Sequence, residues 1–268
     1  IEDRQKGGKT TMGKVRVIAI TNQKGGVGKT TTAINLSACL AAAGKKVLTI
    51  DADQQGNTTS GLGLDKNGVP LTIYDVFLEQ ATIAEVKQPT CVEGLEVLPA
   101  NISLTGAEIE LIGKDDREYI LKEALDKVKD DYDFVIIDCP PSLNLITINA
   151  LTAADTVLVP IQCEYFALEG LEQLLHAVNL VRKRLNRHLE IEGIVFTMYD
   201  ARTNLSLQVV EEVKRSLGEN VYRSIIPRNV RLGEAPSHGL PIHLYDPKSK
   251  GAESYGLLAE EVMEKEWD

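Results

Sequence analysis

Lys24-Gly25-Gly26-Val27-Gly28-Lys29-Thr30-Thr31 is the stretch that decides the fold. Before it runs Val15-Arg16-Val17-Ile18-Ala19-Ile20-Thr21, β-branched and apolar as a buried strand must be. After it, Thr32-Ala33-Ile34-Asn35-Leu36-Ser37-Ala38-Cys39-Leu40 has helical spacing. Strand, glycine-rich turn and helix together form the setting in which backbone N–H groups close around phosphate oxygens. Glycine permits the necessary backbone turns, and the helix N-terminus adds partial positive charge. On this reading Gly25, Gly26, Val27, Gly28, Lys29, Thr30 and Thr31 bind the phosphates of a nucleotide. Lys29 reaches the β- and γ-phosphates, and the Thr30 hydroxyl ligates Mg²⁺.

Outward from the loop, apolar runs alternate with helical ones. Strand-like runs are Lys46 to Asp51, Leu95 to Pro99, Phe134 to Asp138, Thr156 to Pro160 and Gly193 to Met198. Several are apolar on both faces, as parallel strands covered by helices are. Helical runs include Arg117 to Lys129, Leu168 to Leu185 and Leu205 to Leu217. The alternation predicts an α/β fold: a doubly wound, mostly parallel sheet flanked by helices on both faces, with ligands at the carboxyl ends of the strands. No linker-like stretch or repeat interrupts the chain, so residues 12–268 are expected to form a single domain. Residues 1–11 are polar and precede Met12-Gly13-Lys14, a natural-looking start, and are read as an N-terminal extension or an appended segment.

The bulk numbers exclude several classes. At 268 residues the core needs no disulfide support. The four cysteines, Cys39, Cys91, Cys139 and Cys163, are widely spaced without a C-x-x-C pair, and read as reduced thiols. No apolar run is long enough to cross a bilayer. A net charge of −10 argues against a uniformly basic nucleic-acid binder, but leaves room for a local basic patch.

The loop departs from the common G-x-x-x-x-G-K-[ST] pattern, because Gln23 stands at the first glycine. It fits K-G-G-x-x-G-K-[ST] instead, with Lys24 as an extra lysine. From about Gly13 to Val262 the chain resembles the deviant P-loop group, and within it the ParA/Soj-type partitioning ATPases. MinD, the nitrogenase iron protein and arsenical-pump ATPases share this group. The resemblance implies that Lys24 crosses a dimer interface to the partner's nucleotide, which would make ATP part of a homodimer contact.

The same resemblance assigns the carboxylates. Asp138, at a strand end before Cys139-Pro140-Pro141, is the expected Mg²⁺ partner. Asp51 and Asp53 fall in the segment Asp51-Ala52-Asp53-Gln54-Gln55-Gly56-Asn57, with Asp53 orienting the attacking water and Asp51 supporting the metal shell. The family usually has proline where this chain has Gln54. The implied reaction is in-line attack of water on the γ-phosphate, with Lys24, Lys29 and Mg²⁺ offsetting the developing charge. Slow turnover, raised by a partner, follows from a carboxylate that mainly positions water.

For adenine, the resemblance points to Ile225-Ile226-Pro227-Arg228-Asn229, with Pro227 packing on the base and Asn229 reading its edge. By spacing alone that segment is an unremarkable loop. The resemblance also implies nonspecific binding of double-stranded DNA through Arg202 and Arg231, and a ParB/Spo0J-type centromere-binding partner that stimulates hydrolysis. A cytoplasmic, nucleoid-associated protein is expected. The competing expectation is a MinD-like membrane ATPase with a basic amphipathic tail. Here the last residues, Leu257 to Asp268, hold more acids than their one lysine, and are read as a docked helix with no membrane contact.

Overall fold

The computed structural model describes residues 14–164, 167–200 and 202–265; the segment 1–11 and the final residues Trp267 and Asp268 lie outside them. Eight strands form one sheet: β1 (Arg16–Ile20), β2 (Val47–Asp51), β3 (Gln88–Pro89), β4 (Leu95–Leu98), β5 (Phe134–Asp138), β6 (Thr156–Gln162), β7 (Glu190–Tyr199) and β8 (Val221–Pro227). Their order is β3-β4-β2-β5-β1-β6-β7-β8. Every neighbouring pair is parallel except β3 with β4, so the predicted mostly parallel, doubly wound sheet is what the chain builds.

The apolar runs explain why. In β1, Val17 and Ala19 enter the core on one face of the sheet, while Ile18 and Ile20 enter the core on the other. A strand buried on both faces has no polar alternation to offer. One face is covered by helix α1 (Lys29–Ala42) and the last helix, Lys250–Glu264. That last helix is docked as expected, with Tyr255, Leu258 and Val262 buried. The other face carries helices Ile120–Leu125, Leu145–Ala153, Ala167–Arg184 and Asn204–Leu217.

Two elements differ from the sequence reading. The helix expected from Arg117 to Lys129 is confined to Ile120–Leu125, followed by a 3-10 turn at Lys129–Asp131. Ile225 to Pro227, read as loop by spacing, ends strand β8. Its signal was alternation: Tyr222, Ser224 and Ile226 are buried, and the residues between them are not fully so. Arg223 and Ser224 hid it, because a strand at the sheet edge needs only one apolar face.

Strand register sets the site. Asp138 at the end of β5 lies opposite Asp51 of β2 on one side and Ile20 of β1 on the other. The glycine-rich loop therefore leaves β1 beside two carboxylates. The chain then crosses to β2 on one side of β1 and later adds β6 on the other, which makes this the switch point where α/β sheets bind ligands.

Candidate active site

The loop is braced from three directions. Asn22 donates its amide to the Pro160 carbonyl at 2.8 Å and accepts the Lys24 N–H at 3.0 Å. The Thr197 hydroxyl, from the end of β7, donates to the Val27 carbonyl at 2.8 Å. Gly26 and Gly28 sit at φ 74° and 91°, a region costly for any side chain. Helix α1 begins after Gly28 with no side-chain cap and no acid in its first turn. Its first N–H groups are therefore left for an anion.

The two lysines part ways. Lys29 is 7% exposed, and its ammonium donates to the Lys24 carbonyl at 3.0 Å across the mouth of its own loop. Burial lowers its pKa, opposed by the neighbouring carboxylates Asp138 and Asp53. Lys24 turns outward, 37% exposed at its side chain, and pairs with Glu164. Thr30 and Thr31 are half-buried at the start of α1.

The carboxylates are not equivalent. Asp51 is fully buried, and both its oxygens are engaged. Its Oδ1 accepts the Asp53 N–H at 3.2 Å; its Oδ2 accepts the Thr59 N–H at 2.8 Å and the Thr59 hydroxyl at 2.7 Å. Burial pushes its pKa up to about 6 against these bonds. Asp138 accepts the Thr58 hydroxyl on Oδ2 at 2.7 Å, while Oδ1 is buried without a hydrogen bond among the described residues. Burial, then the neighbouring Asp51, push its pKa up to about 7, with Thr58 and Thr30 pulling the other way. Asp53 caps its own turn, accepting the Gln55 N–H at 2.9 Å. Gly56 at φ 61° closes the turn so tightly that a Cβ there would come within 2.6 Å of the Ala100 carbonyl. Thr59 also accepts the Ala100 N–H at 2.9 Å. Asn22, Thr58, Thr59 and Thr197 were missed by sequence reasoning; an N or T beside a motif carries no signal until its partner is known.

The remaining expected residues fall at neighbouring strand ends. Pro227 ends β8 in register with Tyr199 at the end of β7. Asn229 caps the short helix Val230–Glu234 through Oδ1, which accepts the Arg231 N–H at 2.8 Å. Its amide N–H groups are what it can still offer a base. Arg202 and Arg231 follow β7 and β8 and so share one edge of the molecule. Arg202 makes a two-pronged contact with Asp200 at 2.8 and 2.6 Å, which holds the Asp200 carboxyl well below its usual range. Arg231 pairs with Glu234 at 2.8 Å and Asp246 at 3.5 Å. Both arginines are thus held by carboxylates that the sequence reading did not anticipate.

The geometry is that of a nucleotide-binding P-loop, and its relatives are plain. The family described as an AAA domain matches residues 15–191. The sporulation initiation inhibitor protein Soj of Bacillus subtilis is 61% identical over 94% of this chain and 98% of its own length. The chromosome partitioning protein ParA of Caulobacter vibrioides is 52% identical over 95% of this chain and 96% of its own. The chain belongs to the ParA/Soj family of P-loop partitioning ATPases. Among solved structures, a cobyrinic acid a,c-diamide synthase from Mycobacterium smegmatis, with bound ATP analogue and magnesium, is 40% identical. It has a TM-score of 0.82 and covers 93% of this chain and 95% of its own. The septum site-determining protein MinD from Pyrococcus horikoshii, complexed with Mg-ADP, is 29% identical with a TM-score of 0.79, covering 94% and 97%.

A ParA/Soj ATPase works on ATP with Mg²⁺, and the residues present fit that pair. The unmatched Asp138 oxygen, with Thr30 beside it, suits a hydrated cation, which would offset the crowding of two buried carboxylates. The uncapped start of α1 and Lys29 suit the phosphates. Among the described residues, no helix is long and apolar enough to cross a membrane.

Proposed function

We propose that this ATPase partitions DNA by coupling nucleotide state to dimerisation and to nonspecific DNA binding. The observation that carries the reading is the division of the two lysines: Lys29 turns into its own loop, and Lys24 turns out, tethered by an exposed ion pair. A buried Lys29 serves the phosphates within one subunit. An outward Lys24 is placed to leave Glu164 for the nucleotide of a second subunit, because exposed ion pairs are weak. Thr30 and Asp138 would hold Mg²⁺, which would supply charge to offset that of the phosphates, and Asp53 would orient the attacking water. Pro227 and the Asn229 amide face the adenine. Asp51, expected in the metal shell, has both oxygens committed to the Asp53 N–H and to Thr59, so it supports that shell from behind by fixing the segment that carries Asp53.

The dimer would join two edges bearing Arg202 and Arg231, so DNA affinity would report the ATP state. A ParB-type partner would stimulate hydrolysis and release the DNA, placing the protein on the nucleoid. The last helix supports this over a membrane role, since Tyr255, Leu258, Ala259 and Val262 are buried in the core it shares with α1 and β8. The fold also serves a synthase, as the mycobacterial neighbour's name states. ATP turnover with no second substrate distinguishes the two.

The test is binding to nonspecific duplex DNA with ATP or ADP, for wild type and an Arg202→Ala/Arg231→Ala variant. Binding with ATP only, lost in the variant, is expected. Four arginines on four phosphates give a salt slope of about −3.6. Equal binding with ADP, or undiminished binding by the variant, would overturn the proposal.

A further inference from the structure

The carbonyls of the glycine-rich loop are held by different kinds of donor. The Lys24 carbonyl takes the Lys29 ammonium at 3.0 Å, and the Gly28 carbonyl takes the Thr32 N–H at 2.9 Å in the first turn of α1. Both donors belong to the loop or to its own helix. The Val27 carbonyl takes the Thr197 hydroxyl at 2.8 Å, from the end of β7, 170 positions along the chain. Thr197 is 2% exposed, and a Cβ built on Gly28 would lie 3.5 Å from its Cγ2. The side chain therefore packs directly behind the Val27–Gly28 peptide. In a planar trans peptide the C=O and the following N–H point in opposite directions. A carbonyl held toward β7 turns the Gly28 N–H the other way, into the loop.

The strand beyond Thr197 is fixed as well. Met198 sits at φ 50°, a left-handed conformation that a non-glycine residue keeps only where its surroundings hold it. Tyr199 then pairs in register with Pro227, and its carbonyl accepts the Arg228 N–H at 3.2 Å. The kinked end of β7 thus grips the phosphate loop at Thr197 and the segment proposed for adenine at Tyr199. From these two grips we infer that Thr197 is a positioning residue for the nucleotide: its hydroxyl aims the Gly28 N–H at the β-phosphate, at a set reach from the adenine segment. Thr197 touches no reacting atom. Gly28 adjoins Lys29, assigned to the β- and γ-phosphates, which makes the β-phosphate its neighbour. The inference rests on that phosphate reading of the loop. Without the hydroxyl the Val27–Gly28 peptide is free to turn, and affinity falls by the fraction of time its N–H faces inward. The loss is confined to ligands that carry a β-phosphate.

The test is displacement of a fluorescent ADP analogue, in Mg²⁺, by ADP, inorganic pyrophosphate or AMP, for wild type, Thr197→Val and Thr197→Ser. Valine keeps the shape and loses the hydroxyl; serine keeps the hydroxyl and loses the methyl. Thr197→Val should weaken ADP and pyrophosphate alike, by about tenfold, and leave AMP unchanged. Thr197→Ser should restore both to near wild type. Should valine unfold the chain, Thr197→Ala deletes the same hydroxyl for the same comparison. Unchanged ADP affinity in the hydroxyl-free variant, an equal loss for AMP, or a serine variant as weak as valine would overturn the role of Thr197 and leave the ATPase standing. Failure of pyrophosphate to displace the analogue from wild type would overturn the phosphate reading of the loop, and the role of Thr197 with it.

Discussion

Thr59→Val tests the hub of the site. Thr59 is fully buried; its hydroxyl donates to Asp51 at 2.7 Å and accepts the Ala100 N–H at 2.9 Å. Valine keeps the shape and deletes both bonds. A hydrogen bond to a carboxylate contributes about 1.5–3 kcal/mol, and an orphaned buried N–H costs about 1–3 kcal/mol. The Thr59 N–H still serves Asp51 at 2.8 Å, so the carboxylate is not stripped. The expected loss is therefore about 3 kcal/mol rather than the full sum. Asp51, already raised by burial, loses its strongest restraint and rises further. Thr59→Ser keeps the hydroxyl and gives up one methyl, so it should lose only about 1 kcal/mol. Urea unfolding of the ligand-free protein measures both, through a midpoint that shifts at constant slope. A valine variant within about 0.5 kcal/mol of wild type, or a serine variant equally destabilised, would refute the hub.

The two loops separate glycines by cause. Gly25→Val should leave the ligand-free stability unchanged, because a Cβ there meets nothing within 4 Å, yet should abolish the ATP-dependent dimer seen by sedimentation. Gly56→Ala should destabilise by about 2 kcal/mol or more, from positive φ and collision with Ala100; unchanged melting would contradict that packing. Asp53→Ala should keep nucleotide binding and dimerisation while losing phosphate release, and undiminished release would remove Asp53 from the reaction. The folded protein holds a proton on Asp138 up to about pH 7, where the unfolded chain, near 3.8, has lost it. That raised pKa means ligand-free stability falls as pH climbs between about 5 and 7, and Mg-ADP should flatten the slope; stability that rises over this range would refute the assignment.

The sequence by itself determined whatever is contiguous along the chain. Eight adjacent residues from Lys24 to Thr31 make the phosphate cradle, because a loop and the helix it opens are local structure. Runs apolar on both faces specified a covered parallel sheet, and put Asp51 and Asp138 at strand ends. Only the tertiary structure decided how those ends meet. Asp51 and Asp138 face each other through a strand register that neither segment encodes alone. The bonds that give the residues different work, Thr58 to Asp138, Thr59 to Ala100, Thr197 to Val27 and Lys24 to Glu164, join residues 80, 41, 170 and 140 positions apart. Hydrogen bonds and ion pairs act over a few ångströms, so a side chain's partner is fixed by what packing brings beside it. That is why the same reading that found Arg202 and Arg231 did not find the carboxylates holding them, and why β8, patterned on one face only, passed for a loop.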